Sequence, residues 1–167
     1  MSKNNSAVFD KIIETNKHKI YRICSIYAIQ PIEPEDLFQE VLFAIWKSLP
    51  SFKNQSSIDT WVYRVTLNIC MRAKQQIDKR NLNTTRLESI AILPTKETVD
   101  EAQQAKQNAL MSCISTLDDI DKSIVILSLD GLKYKAIAEI TGLTENHIAV
   151  KMKRIKQQLK TCITSKL

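Results

Sequence analysis

Glycine is nearly absent: the 167-residue chain has two, Gly131 and Gly142. A β-rich fold needs more turn glycine than that, so an all-α protein is expected. No apolar run approaches the roughly 20 residues that span a bilayer, and Met1 to Asn16 lacks the apolar core of a signal peptide. A cytoplasmic location is expected. The four cysteines, Cys24, Cys70, Cys113 and Cys162, lie far apart and form no Cys-x-x-Cys pair. That spacing speaks against structural zinc and against a disulfide framework. Buried free thiols are the preferred reading, with a redox-sensing pair left open. The two histidines, His18 and His147, stand in unrelated contexts, and neither a glycine-rich phosphate loop nor an HExxH pattern occurs. No enzyme, metal site or cofactor is therefore expected.

Charge is present and unevenly placed. The net +6 divides into a neutral Met1–Pro50, a +5 block over Ser51–Arg86, a −5 block over Leu87–Asp121 and a +6 block over Lys122–Leu167. Two basic blocks flanking an acidic one suggest two nucleic-acid surfaces joined by a different kind of segment; the plainer alternative is a set of solvated faces.

Apolar periodicity predicts helices over residues 8–28, 34–48, 58–80, 100–117 and 121–129. Pro31 and Pro34 separate the first two, and acids at Glu35 and Asp36 suit the positive end of the second. The segment 81–98 is polar, contains Pro94 and has one short apolar patch, Ile90–Leu93. The expected organisation is two small helical domains, residues 1–80 and 107–167, joined by an acidic and polar linker over 81–106. The second is expected to be a four-helix, winged-helix-like helix-turn-helix domain.

The stretch Leu132–Ile148 carries that expectation. It reads as a short helix, a turn at Gly142 and a second helix capped by Thr144. Ile148, Met152, Ile155 and Leu159 then recur at helical spacing as a buried seam. At about 100° per residue, Asn146, Val150, Lys153, Arg154 and Gln157 point away from it, with His147 and Lys151 on one flank. Arg and Lys suit phosphates and guanine edges, Asn suits adenine, and Val suits a thymine methyl.

Two further groups stand out. In the helix from Asp36 to Ser48, Leu37, Val41, Ala44 and Ile45 form an apolar arc, while Phe43 and Trp46 fall on the polar side with Asp36, Gln39 and Glu40. Two large aromatics there mark either a protein-binding patch or burial against another helix. Next, Phe52, Lys53, Asn54, Gln55 and Ser56 lead into Trp61, Tyr63, Arg64, Asn68, Arg72 and Lys74. Rings among cations and amides suit single-stranded DNA, where bases stack and phosphates pair. Trp61 and Tyr63 read equally well as core.

Asp36-Leu37-Phe38-Gln39-Glu40-Val41 followed by Trp46 resembles the D-L-x-Q-E-x…W signature of bacterial RNA polymerase sigma factors. Phe52, Thr60-Trp61-Val62-Tyr63-Arg64-Val65 and Asn68 resemble the F…T-W-[LV]-Y-R-[IV]…N run of their extracytoplasmic-function group, and the helix-turn-helix is similar to that group's carboxy-terminal domain. The resemblance implies a dissociable specificity subunit that binds core polymerase through Asp36, Gln39, Glu40, Phe43 and Trp46. It implies a melted −10 element held by Phe52, Lys53, Asn54, Gln55, Trp61, Tyr63, Arg64, Asn68 and Arg72. It also implies a duplex −35 element read by Thr144, Asn146, His147, Val150, Lys151, Lys153 and Arg154, and an anti-sigma protein as a regulatory partner. The chain departs from the group's pattern at Arg72 and Gln75, where Asp and Arg are frequent, and at Ala149 and Val150, where polar or basic residues are common. The competing expectation is an autonomous helix-turn-helix regulator with a dimerising or sensing amino-terminal domain.

Overall fold

The computed structural model describes residues 3–80 and 100–167. The expected linker core, with Pro94 and the Ile90–Leu93 patch, lies outside them. Among the described residues every regular element is a helix. The chain divides into two compact units, Met1–Ser89 and Ile90–Leu167.

The first unit holds α1 (Lys3–Tyr27), α2 (Pro34–Ser48) and α3 (Ile58–Arg80), with one 3₁₀ turn at Leu49–Ser51. Helix α1 starts five residues before the apolar pattern does, because Lys3–Ala7 has no helix breaker. Pro34 opens α2, where its missing N–H costs nothing, and Asp36 Oδ2 accepts a 3.2 Å hydrogen bond from the Glu33 N–H. Pro50 lies within the 3₁₀ turn that ends this helical run. Ser57 Oγ accepts from the Thr60 N–H at 3.1 Å and so fixes the start of α3.

All three helices pack on one another. Ile20, Ile23, Cys24 and Tyr27 of α1 meet Leu37, Val41 and Ile45 of α2 and Val62, Leu67, Cys70 and Ile77 of α3 in one apolar centre. Each such aliphatic side chain stabilises the unit by about 1.5–3 kcal/mol before entropy is counted. One buried amide, Asn16, is satisfied by bonds to the Ile12 carbonyl (3.0 Å) and Asp59 Oδ1 (3.2 Å), which ties α1 to the first turn of α3.

The second unit holds α4 (Glu101–Ser115), α5 (Asp119–Leu129), α6 (Tyr134–Thr141) and α7 (Glu145–Lys166). No strand, and so no wing, accompanies them among the described residues. Helix α4 already covers part of the segment expected as linker. Asp118 caps α5 by accepting the Asp121 N–H at 2.8 Å. Residues Asp121–Leu127 are buried without interruption, which makes α5 the central helix of the unit. Gly142 takes φ +78° and closes α6, its N–H bonded to the Ala138 carbonyl at 2.9 Å. Thr144 accepts the His147 N–H and opens α7, as its cap chemistry predicts.

The cysteine reading needs correction. Cys113 of α4 and Cys162 of α7 are disulfide-bonded, 49 residues apart in sequence. Sequence spacing is silent on this pair because packing, not proximity along the chain, brings the two helices together. Cys24 and Cys70 remain free and buried, as the sequence suggests.

Candidate nucleic-acid interface

Helix α2 separates its residues cleanly. Leu37, Val41 and Ile45 face the core, whereas Asp36, Gln39, Glu40 and Phe43 are exposed. Phe43 is 65% accessible, a large ring with no core to fill. Trp46 behaves differently: it is half-buried and meets Phe9 of α1 edge to face, centroids 5.0 Å apart. Burial against another helix thus describes Trp46, whereas Phe43 stays exposed. Beside this face, Tyr21 donates a 2.5 Å hydrogen bond to Glu35 Oε1 and packs edge to face on Phe38. That bond pushes the Tyr21 phenol up to about 12 and holds the Glu35 carboxyl below its usual range.

The loop before α3 exposes Lys53, Asn54 and Gln55, with Asn54 at φ +53°. Phe52 and Trp61 are both half-buried and stack at a tilt, centroids 5.1 Å apart, so each offers part of a ring at the foot of that loop. Along α3, Arg64, Asn68 and Arg72 recur every four residues and are all exposed. This is the stripe opposite the buried one, since Val62, Thr66, Leu67 and Cys70 turn inward. Tyr63 does not belong to the stripe. It is buried, with Lys19 Nζ 5.7 Å above its ring, and burial pushes its phenol pKa up. Its position one residue before Arg64 turns it about 100° away, towards the core.

On α7, Ile148, Met152 and Ile155 are buried while Asn146, His147, Val150, Lys153 and Arg154 are exposed. Val150, 63% accessible, is an apolar side chain set among polar ones. Thr144 is spent on the cap. Lys151 is also spent: its Nζ lies 2.7 Å from Asp121 Oδ1. Arg154 reaches the other oxygen of the same carboxylate at 3.7 Å while keeping most of its surface in solvent.

Asp121 is the residue that sequence reasoning missed. It is almost wholly buried and fixes two cations of the exposed helix to the central one. Its only sequence signal, one acid among Asp118, Asp119 and Asp121, reads as an ordinary acidic helix start. Among the described residues no cluster of side chains could hold a metal ion, and no helix is long and apolar enough to cross a membrane.

Two family models match the chain: Sigma-70 region 2 over residues 12–80 and Sigma-70, region 4 over residues 107–159. The ECF RNA polymerase sigma-E factor of Escherichia coli is 24% identical over 150 residues, covering 84% of this chain and 78% of that protein. The ECF RNA polymerase sigma factor SigG of Mycobacterium tuberculosis is 28% identical over 129 residues, 77% of this chain and 34% of that one. Among solved structures, the sigma factor RpoE of Bartonella quintana, in complex with the anti-sigma factor NepR, superposes with a TM-score of 0.78 at 18% identity. It covers 93% of this chain and 96% of its own. CnrH, in complex with the cytosolic domain of CnrY, gives 0.70 at 14% identity, over 96% and 90%. With the first unit matching region 2 and the second region 4, in that order, the chain belongs to the sigma-70 family as an extracytoplasmic-function sigma factor of transcription initiation.

Proposed function

We propose that this sigma factor docks on core RNA polymerase through the exposed face of α2, with Phe43 as the anchor and Gln39 and Glu40 beside it. The observation that carries this reading is Phe43 itself, an exposed ring on a helix whose opposite face is fully packed. Partner-binding anchors are of this kind, aromatic and presented on a rigid element. Asp36 and Trp46 serve the same surface indirectly, one by capping α2 and the other by seating it on α1.

Promoter DNA is then read in two places. The Phe52–Trp61 ring pair, the Lys53–Gln55 loop and the Arg64, Asn68, Arg72 stripe take the melted strand of the −10 element, with rings for bases and cations for phosphates. Asn146, His147, Val150, Lys153 and Arg154 take the duplex −35 element. Tyr63 and Lys151 support these surfaces from within. The chain regulates and does not catalyse; polymerisation chemistry belongs to the core enzyme. It acts in the cytoplasm, where that enzyme and the DNA are, and it is held in reserve by an anti-sigma protein. The structural neighbour RpoE, solved with the anti-sigma factor NepR, supports the last point.

The test is transcription from a promoter library by core enzyme with and without the purified chain. Initiation from a shared pair of upstream elements, dependent on the chain, is expected. A chain that never binds core but protects a palindromic duplex alone would overturn the reading in favour of an autonomous regulator.

A further inference from the structure

The four cysteines fall into two pairs, one in each unit, and the pairs differ in chemical state. In the first unit Cys24 and Cys70 lie 3.8 Å apart, sulfur to sulfur, both fully buried and both thiols. The hydrogen bond between them and burial push the Cys70 thiol well above its usual range, so the reactive thiolate is suppressed. In the second unit Cys113 and Cys162 are bonded, and they line an open cleft of about 280 Å³ together with Asp118, Asp121, Arg154 and Gln158. Cys113 is fully buried and Cys162 half-buried. One pair is therefore sealed and the other stands on an open cleft. The Cα atoms of the bonded pair are 6.0 Å apart, inside the range that a disulfide bridges without backbone movement.

The cleft also contains Arg154 of the proposed DNA face and Asp121, which holds it. The reading end of α7 is fixed by Ile148, Met152, Ile155 and the Asp121 pairs. Beyond Ile155 no residue of α7 is buried, so Cys162 is the covalent anchor of its last turns. We propose that Cys113–Cys162 is a redox-responsive brace on the helix-turn-helix unit, closed by oxidation and opened by a small thiol that reaches it through this cleft. The inference rests on the reading that α7 binds duplex DNA.

The exchange balances simply. A thiolate of the reductant attacks the Cys162 sulfur, forming a mixed disulfide and releasing Cys113 as a thiolate that takes up a proton. A second thiol of the reductant displaces Cys162, which is protonated in turn. Two reductant thiols leave as one disulfide, and two electrons and two protons enter the protein. A small disulfide such as oxidised glutathione drives the reverse. Opening the brace frees the distal turns of α7 and loosens the wall that positions Arg154. Duplex affinity should fall about three- to ten-fold, the scale on which distant packing changes modulate binding.

The full chain, assembled with core polymerase, is to be equilibrated in glutathione buffers of graded redox ratio. One portion is alkylated and its thiols located by mass spectrometry; the other is titrated with a duplex promoter fragment. Cys113 and Cys162 should convert together while Cys24 and Cys70 stay thiols, and affinity should fall with reduction and return on oxidation. Cys162→Ser should bind weakly in every buffer. Far-ultraviolet circular dichroism checks that variant's fold, and the chemically reduced wild type reports the same state without a substitution. A pair that does not convert in the native protein, or equal affinity in both states, overturns the proposal while leaving the DNA reading intact. If Lys153→Ala and Arg154→Ala leave promoter affinity unchanged in every buffer, the DNA reading itself fails, and the brace proposal falls with it.

Discussion

Phe43 and Trp46 sit three residues apart on one helix and do different work. Phe43 touches no core, so Phe43→Ala should leave the melting temperature within about 2 °C while weakening core-polymerase binding about ten- to thirty-fold. Trp46 packs on Phe9, so Trp46→Ala should cost about 2–3 kcal/mol of stability in the first unit. Thermal unfolding together with a core-binding titration separates the two effects; a large stability loss in the Phe43 variant would return that ring to the core. Asp121 poses the complementary case, a buried charge whose value lies in its two partners. Asp121→Asn keeps the volume but leaves the Lys151 ammonium without its carboxylate, and should cost about 1–3 kcal/mol. Amide hydrogen exchange should rise across α5 and α7. Exchange unchanged in both helices would show that the pair contributes nothing.

Between α1 and α2 the Tyr21–Glu35 bond makes stability depend on pH at both ends. The phenol is raised from 10.0 to about 12, so its contribution is whole below pH 10 and fades as pH rises through the folded value. The Glu35 carboxyl is lowered from 4.5, so its contribution is present above that value and is lost as pH falls through the lowered one. Tyr21→Phe should therefore differ from the wild type most between about pH 5 and 10 and converge with it at both extremes, measured as urea midpoints. A constant difference across the range would show that the bond is not the cause. How legible such features are in sequence follows from their range. Helix α3, Ile58–Arg80, was readable to about its last residue, because its apolar period runs on to Ile77 and the polar Asp78, Lys79 and Arg80 follow. The caps at Thr144 and Gly142 were readable because they are local chemistry. Tyr21–Glu35, Cys113–Cys162 and Asp121–Lys151 were not, since each joins residues 14 to 49 positions apart and only packing decides which side chains meet. For the same reason the periodicity of α3 alone could not decide whether Tyr63 stacks on bases or fills the core.

For the molecule as a whole, the two proposed DNA surfaces should be separable by salt. Each phosphate neutralised on duplex DNA contributes about 0.9 to the slope of log affinity against log salt, and each on a single strand about 0.7. Lys153→Ala should thus reduce the slope of promoter binding by about 0.9 and Arg72→Ala by about 0.7, whereas Lys151→Ala should barely change it because Asp121 already neutralises that ammonium. A Lys151 variant that shifted the slope as much as the Lys153 variant would contradict this division. The scarcity of glycine has a consequence for how the sequence can drift. Among the described residues only Asn54, Gly131 and Gly142 hold a left-handed backbone, and beyond the adjacent residues no atom lies within 4 Å of a Cβ added at either glycine. At both glycines, substitution is limited by the backbone turn alone and not by neighbours. Along the exposed face of α7 no residue holds a left-handed backbone, so exchanging side chains there leaves the path of the chain unchanged. That leaves α7, the helix proposed to read duplex DNA, open to new base preferences on an unchanged frame.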